Sequence, residues 1–442
     1  MELTSAHVQA LELVKATKPN IVGFSTSYHT RVKGGKEVPG SRCLRVYLSR
    51  KLPKEQLPAD DLVPASIEDF GTDCVVIGEV SIASLLPMLS PPTLYTGRWE
   101  TLISGISIGH PTITAGSLGA FVVKEGQDFM LSNWHVGVGE QGKLGDVILQ
   151  PGAYDIQQVY GEAPSDKYAA GLLESFRVPA AGQVDAALVK PTRAYNPNLF
   201  VSPLQRAGVN VVEPHPVRLS GPKDPSVGMR VLKEGRTSGL TRGLVVDIDA
   251  TLDVNYGGTI GKLTFQHLTV VQGINAPYLQ GGDSGSVSRE EAGEPERQAA
   301  VGLNFAGSSE GYGMAFKMSQ VAAELGFTFA PGAEPPAPPA PTKRYAPSDS
   351  LEVAILVEAL VPTRLSFFRT DRAIYSEGDP VALEGQLVEA ATGAPVVGVA
   401  VQVNAGSAGV FSLTTDQTGA FRGNINGLPA GSYNLRAQFL GT

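Results

Sequence analysis

The sequence predicts a mainly β protein built in several parts. Three observations lead there. Glycine and proline are abundant, 51 and 32 of 442 residues, which favours turns between short strands over long helices. Short apolar runs recur from about Thr101 to Phe329, separated by Gly, Asn, Asp and Pro; GAFVVKEG, FMLSNWHV, GDVILQPG, QVDAALVKP, MRVLKEG and QAAVGLNFAG are examples. Such spacing predicts an all-β barrel or sandwich. A proline-dense stretch, Pro331 to Pro347, then separates this region from a further set of strand patterns.

Residues 1–97 read as a small α+β segment. Val8, Leu11 and Val14 recur at helical spacing, and IVGFSTSYH, CLRVYLSRKL and DCVVIGEV read as strands around the turn-rich KGGKEVPGS. His29 stands alone there and is expected to be structural. Residues 98–330 form the strand-rich domain, closed by a helix over KMSQVAAELGF with Gly326 as its C-cap. Residues 331–350 are an extended Pro/Ala-rich linker, because that density of missing backbone donors forbids a packed fold. Residues 351–442 hold LSFFRT, VALEGQLVE, GVAVQVN, GVFSLTT, GAFRG and SYNLRAQFLG, which predict an immunoglobulin-like β-sandwich. SLEVAILVEALV fits helix or strand equally.

Composition excludes several classes. With 42% hydrophobic and 18% charged residues the chain is globular. The net charge is -8 and no block of Lys and Arg appears, which argues against nucleic acid as a partner. No apolar run approaches the roughly 18 residues that span a bilayer, and MELTSAHVQALELVKATK lacks the form of a signal peptide. Two cysteines, Cys43 and Cys74, cannot staple a secreted scaffold; one bridge is open to them, and two reduced thiols are expected. No cofactor or metal is expected.

The sharpest local signal is QGGDSGS, Gln280 to Ser286. Glycines around Ser284 leave the N–H groups of Gly282 and Ser284 free to stabilise an oxyanion. A serine hydroxyl needs a base beside it, and the candidate is His135 at the end of an apolar strand. An imidazole base needs an acid to fix its tautomer, and Asp185 heads another apolar strand. Alone, each has a bland explanation: a β-turn, a core histidine, a turn cap. Their joint order, each in a strand–loop context, favours a triad.

With these residues quoted, the region from about Thr101 to Phe329 resembles the chymotrypsin-like (trypsin-fold) serine proteases. LSNWHV matches the histidine motif, QVDAALVK the Asp motif and GGDSGS the nucleophile motif; KEGRTSGLTRG resembles a Gly-Arg-Thr-Thr-Gly segment of bacterial members such as the α-lytic protease group. Asn133 and Trp134 depart from the paired alanines of that family, and its disulfide cysteines are absent. The second departure implies a reducing, cytoplasmic setting. With the Leu-Pro-rich KLPKEQLPADDLVPASI, the chain resembles an intracellular trypsin-like group that includes the plant narrow-leaf proteins and bacterial relatives. IVGF at Ile21 is read as a buried strand rather than an activation site, because it lies too far ahead of His135.

The resemblance implies a double β-barrel and further roles. Tyr278, six positions before the nucleophile, would form the base of the substrate pocket, with Ala306, Gly307 and Gly313 as walls. No carboxylate stands at that base, so small or medium apolar P1 residues are expected; Glu310 is expected to be solvated. Asp283 should be partly buried, and a buried carboxylate needs a cation or several donors. Lys233 stands where bacterial relatives carry an arginine, so a Lys233–Asp283 ion pair is expected; Arg236 or backbone donors are the alternative. TDQTGAF in the last module resembles a turn of bacterial immunoglobulin-like repeats. The implied function is a serine endopeptidase acting on protein or peptide substrates. The alternatives are a non-catalytic binding scaffold and an esterase using the same triad. A spacer role is expected for the C-terminal module, with a bound partner as the alternative, and homo-oligomerisation is left open.

Overall fold

A computed structural model describes residues 2–33, 36–51, 62–83, 93–180, 183–206, 209–291 and 297–329, together with 363–370, 381–389, 394–397, 400–404, 410–425 and 436–439. The expected linker and SLEVAILVEALV lie outside the described residues. The chain divides into two compact units, Met1–Pro203 with Val212–Ala333, and Leu204–Val211 with Glu334–Thr442.

The first unit is a double β-barrel. In its first half, strands Ala120–Lys124, Gln127–Ser132, Ala186–Pro191, Ala169–Arg177 and Val147–Leu149 lie side by side in that order, all antiparallel. The first two are joined by Glu125 and Gly126, both at positive φ (51° and 75°), the backbone that matches the twist of a tight hairpin. The edge strand Val147–Leu149 bridges to Gly109, next to the hairpin of Ser107–Ile108 and Gly116–Ser117. That hairpin runs on into Ala120, so the sheet curls toward closure.

The second half closes fully. Strands Arg230–Gly235, Val287–Glu290, Arg297–Ser308, Tyr312–Lys317, Lys262–Gly273 and Gly239–Asn255 pair in sequence, and the last pairs back onto the first. A closed barrel leaves no edge strands to pair with other chains. Its interior is filled by Phe265, Phe305 and Phe316, of which the last two stack at 4.2 Å. Helix Met318–Leu325 follows and ends on Gly326 in the left-handed conformation.

The N-terminal segment is continuous with this barrel. Strand Ile21–Ser25 pairs with the far end of Gly239–Asn255, with Phe24 opposite Thr251. Lys36–Leu48 pairs with Ile21–Ser25, and Phe70–Val76 lies parallel to Lys36–Leu48. Helix Ser5–Thr17 buries Leu11 against Phe24, Leu44 and Val46. IVGFSTSYH is thus two strands, Ile21–Ser25 and His29–Lys33, with a turn between. Cys43 lies opposite Gly71 and Cys74 opposite Val46. That offset of three residues is about 10 Å along the strands, beyond disulfide reach, and both thiols are free.

In the second unit two three-stranded sheets form, Thr363–Thr370 with Val381–Glu389 and Ala420–Ile425, and Val410–Thr414 with Ala400–Asn404 and Arg436–Phe439. Asp416 accepts from Thr418 N–H and Ala420 N–H at 2.8 and 3.1 Å, with Gly419 at φ 74°. Among the described residues, no helix is long and apolar enough to cross a membrane.

A buried carboxylate joins the N-terminal segment to the barrel. Asp247 has no exposed surface. It accepts from Tyr47 Oη at 2.5 Å, from Ser25 Oγ at 3.1 Å and from two backbone N–H groups, with His29 Nε2 at 3.4 Å. Burial alone would raise its pKa; the His29 and Tyr47 hydrogen bonds outweigh burial and hold it below the usual carboxylate range. A carboxyl held low stabilises the fold at neutral pH, and that contribution fades as pH falls below about 4. Asp247→Ala should cost about 3 kcal/mol at pH 7, because it strands two or more buried donors. The check is urea unfolding of both proteins over a pH series, in which the gap should narrow as pH drops through about 4.

Candidate active site

Two neighbouring strands set His135 and Asp185 side by side. Gln127–Ser132 and Ala186–Pro191 pair with Ser132 opposite Ala187. The chain leaves the first strand through Asn133 into the single turn Trp134–Gly137, and it enters the second immediately after Asp185. Both side chains therefore emerge at the same end of the sheet. His135 Nδ1 lies 2.5 Å from Asp185 Oδ2, and His135 N–H donates to Asp185 Oδ1 at 3.2 Å. Asn133 Nδ2 donates to the Asp185 carbonyl at 2.7 Å, so the departure from alanine at that position adds a hydrogen bond.

Ser284 comes from the second barrel, on the loop ahead of Val287–Glu290. Ser117 N–H donates to the Ser284 carbonyl at 2.7 Å, and Ser117 Oγ to the Gly282 carbonyl at 3.0 Å. These bonds press the loop against the first barrel. Gly285 has φ 90°, and a Cβ there would lie 2.2 Å from Ser132 Oγ and 2.4 Å from the Ser117 carbonyl. Gly282 has φ 95°, and its Cβ would meet Thr237 Oγ1 at 2.5 Å. Only glycine fits at either place. Ser284 Oγ then stands 2.7 Å from His135 Nε2 and 3.2 Å from the Phe305 carbonyl.

The protonation pattern follows. A carboxylate on Nδ1 requires the Nδ1–H tautomer, which leaves Nε2 to accept the Ser284 hydroxyl proton. Asp185 and Ser284 are 0% exposed and His135 4%; in so dry a setting each hydrogen bond is electrostatically stronger than in water. The N–H groups of Gly282 and Ser284 have no acceptor among the described residues.

Lys233 Nζ lies 2.9 Å from Asp283 Oδ2, with both side chains fully buried. Burial pulls the ammonium below its usual pKa, against the opposing pull of Asp283. Asp283 also accepts from Thr237 N–H, Ser238 N–H and Gln280 N–H at 2.9, 3.0 and 3.0 Å, and from Ser238 Oγ at 2.5 Å. Arg236 does not join them. Its Nε donates to Asp155 Oδ2 at 2.9 Å, and Asp155 also accepts from Ser107 Oγ at 2.6 Å.

Tyr278 is fully buried. Its hydroxyl shares a hydrogen bond with Ser288 Oγ at 2.7 Å, and Ser288 in turn donates to Asn304 Oδ1 at 2.8 Å. A Cβ on Gly243 or Gly313 would lie 2.8 or 2.6 Å from the ring, so the ring occupies the space between these two strands. Gly307 lies opposite Gly313, and Ala306 opposite Met314. Glu310 is exposed. Sequence reasoning did not find Ser117, Asp155 or Tyr256, whose hydroxyl donates to Asp185 Oδ2 at 2.7 Å. None stands in a motif, and each reaches the site only through the fold. Ser238 lies inside RTSG, beside the expected lysine, and was within reach of the same reasoning.

Lys233→Met should remove about 3–5 kcal/mol of stability, because it leaves Asp283 buried without its cation. Urea unfolding monitored by tryptophan fluorescence gives the number; a loss below 1 kcal/mol would mean that the four neutral donors suffice.

No protein-family model and no curated protein matches the chain. Among solved structures, it is similar to Thermobifida fusca protease A, at 19% identity and a TM-score of 0.34, over 52% of this chain and 98% of that one. It is likewise similar to Nocardiopsis protease at 18% identity and a TM-score of 0.35, over 52% and 98% of the two chains. A chymotrypsin of Cellulomonas bogoriensis follows at 17% identity and a TM-score of 0.34, with the same coverage.

Proposed function

We propose that the chain is a serine endopeptidase whose triad is His135, Asp185 and Ser284. One observation carries this reading: the unbroken line from Asp185 Oδ2 through His135 to Ser284 Oγ, with contacts of 2.5 and 2.7 Å. In the reaction, Ser284 Oγ attacks the scissile carbonyl carbon while His135 Nε2 takes its proton. The carbonyl oxygen becomes an oxyanion facing the unused N–H groups of Gly282 and Ser284. The imidazolium then protonates the leaving amine, and water repeats the sequence on the acyl-enzyme. Asp185 holds the imidazole and offsets its transient charge.

An esterase would use the same steps, so substrates separate it from a peptidase. A binding scaffold has no use for two idle N–H donors beside an aligned serine. For the second unit we propose a spacer or recruiting role.

Ser284 has no exposed surface, so a compact probe is the right test. A small fluorophosphonate should label the wild type at Ser284, and Ser284→Ala should not be labelled. His135→Ala should lower peptide hydrolysis about 10⁶-fold and Asp185→Asn about 10⁴-fold, with fold retained by circular dichroism. Labelling of Ser284→Ala at the wild-type rate would end the assignment.

The Tyr278 ring between Gly243 and Gly313 also bears on the substrate. We read it as the floor of the P1 pocket, raised by a phenol that Ser288 keeps from moving. Peptides with Ala at P1 should therefore be cleaved about 10-fold or more faster than those with Phe, Arg or Glu. A panel of otherwise identical peptides measures this, and an equal rate for Phe would show the pocket to be deep.

A further inference from the structure

Tyr256 lies outside the expected triad, yet it touches its acid. Its hydroxyl donates at 2.7 Å to Asp185 Oδ2, the same oxygen that faces His135 Nδ1. Its ring stands edge-on to the imidazole, 6.1 Å between centroids at 90°. Among the described residues, the side-chain oxygens of Asp185 accept from His135 N–H, His135 Nδ1 and the Tyr256 hydroxyl. The phenol is therefore the one donor to the carboxylate that His135 does not itself supply.

The tyrosine is held firmly in place. Its N–H donates to the Gly261 carbonyl at 2.7 Å, and its ring leans on Phe265 at 5.9 Å. The loop it opens is tied to the turn that follows His135, because Glu140 accepts from Thr259 N–H at 3.1 Å and from Thr259 Oγ1 at 2.5 Å. Asp185 and His135 belong to the first barrel, and Tyr256 continues a strand of the second. Burial and the neighbouring Asp185 charge push the phenol well above its usual range, so it remains a donor at working pH.

We propose that Tyr256 is a positioning residue of the triad, which fixes Asp185 across the barrel junction and withdraws charge from the oxygen that faces His135. The proposal rests on the catalytic reading of His135, Asp185 and Ser284. Without the phenol, Oδ2 carries more of the negative charge, stabilises the imidazolium more and makes His135 bind its proton more tightly. Other titratable groups on elements about His135 are Asp283 on the Ser284 loop with Lys233 of the strand Arg230–Gly235, His110 with Asp146 beside Val136, and Glu140. Substitution at Tyr256 leaves all of these in place.

The test follows the pH dependence of fluorophosphonate labelling at Ser284, together with the downfield proton resonance of His135 Nδ1–H. In Tyr256→Phe the acid limb should move up by about half a pH unit, and the limiting rate should fall about 10-fold, the usual effect of losing one hydrogen bond to a charged group. The Nδ1 proton should titrate with the same upward shift. Phe265→Leu, which loosens the ring and spares the hydroxyl, should lower the rate without moving the midpoint. Should Tyr256→Phe fail to fold, 3-fluorotyrosine at this position, a stronger donor of nearly the same shape, should move the midpoint down. An unchanged midpoint and an unchanged Nδ1 resonance in Tyr256→Phe, or in the fluorotyrosine protein, overturn the proposal. If wild-type Ser284 is not labelled, the catalytic reading falls separately; the Nδ1 titration then still decides whether Tyr256 acts on the Asp185–His135 pair.

Discussion

A carboxylate with no exposed surface, Asp283, dictates the loop that carries Ser284. Such a group is costly unless a cation and several donors surround it. Lys233 supplies the cation, and Thr237, Ser238 and Gln280 supply the donors. Each bond pins one side of the loop, so the backbone between Gln280 and Ser286 has little freedom left. The two N–H groups that the loop leaves unused, at Gly282 and Ser284, follow from that constraint. The loop is held by its own contacts, which is what electrostatic preorganisation would require of the proposed serine chemistry.

The same constraint explains the glycines of the motif. Pressing the loop against Ser117 and Ser132 leaves no room for a Cβ at Gly285, and Thr237 leaves none at Gly282. Both sit at positive φ. Gly282, Asp283 and Gly285 of GGDSGS are thus imposed from both barrels, by an ion pair and the Thr237 side chain on one side and by close approach to Ser117 and Ser132 on the other. That is why so short a stretch was informative as sequence. Its spacing encodes a packing geometry as well as a reactive group.

Much of the rest was legible for similar reasons. His135 and Asp185 could be read because each borders an apolar strand, and the strands turned out to be neighbours. The Lys233–Asp283 pair could be read because burial of Asp283 demanded a partner. Tyr256, Ser117 and the Asp155–Arg236 pair could not. They come from loops or strand ends without a local pattern, and only the register of distant strands brings them together. The N-terminal segment shows the same limit. Its strands were visible as alternating runs, but their pairing with the end of Gly239–Asn255 depends on a register that no local signal carries. IVGFSTSYH ran together as one strand because the apolar and small residues continue past Ser25, while the turn at 26–28 is set by Asp249, whose carbonyl and carboxylate accept from Thr26 and Ser27.

One strand ties these contacts together. Gly239–Asn255 is 17 residues long, roughly three times the usual length. At its start, Thr241 lies opposite Lys233. At its middle, inward-facing Asp247 binds Ser25 and Tyr47 of the N-terminal segment. Just past its end, Tyr256 reaches Asp185. A strand inside a closed barrel cannot slide without breaking the pairing on both sides, so these three contacts are carried by one continuous strand, whose pairing with Lys262–Gly273 shifts register around Asp247. The N-terminal segment therefore helps to hold the strand that presents Tyr256, even though, among the described residues, none of its side chains bonds to His135, Asp185 or Ser284. Its role in the site is mechanical. It extends the sheet whose long strand leads into Tyr256, and it does so through a buried carboxylate, the same device that fixes the Ser284 loop.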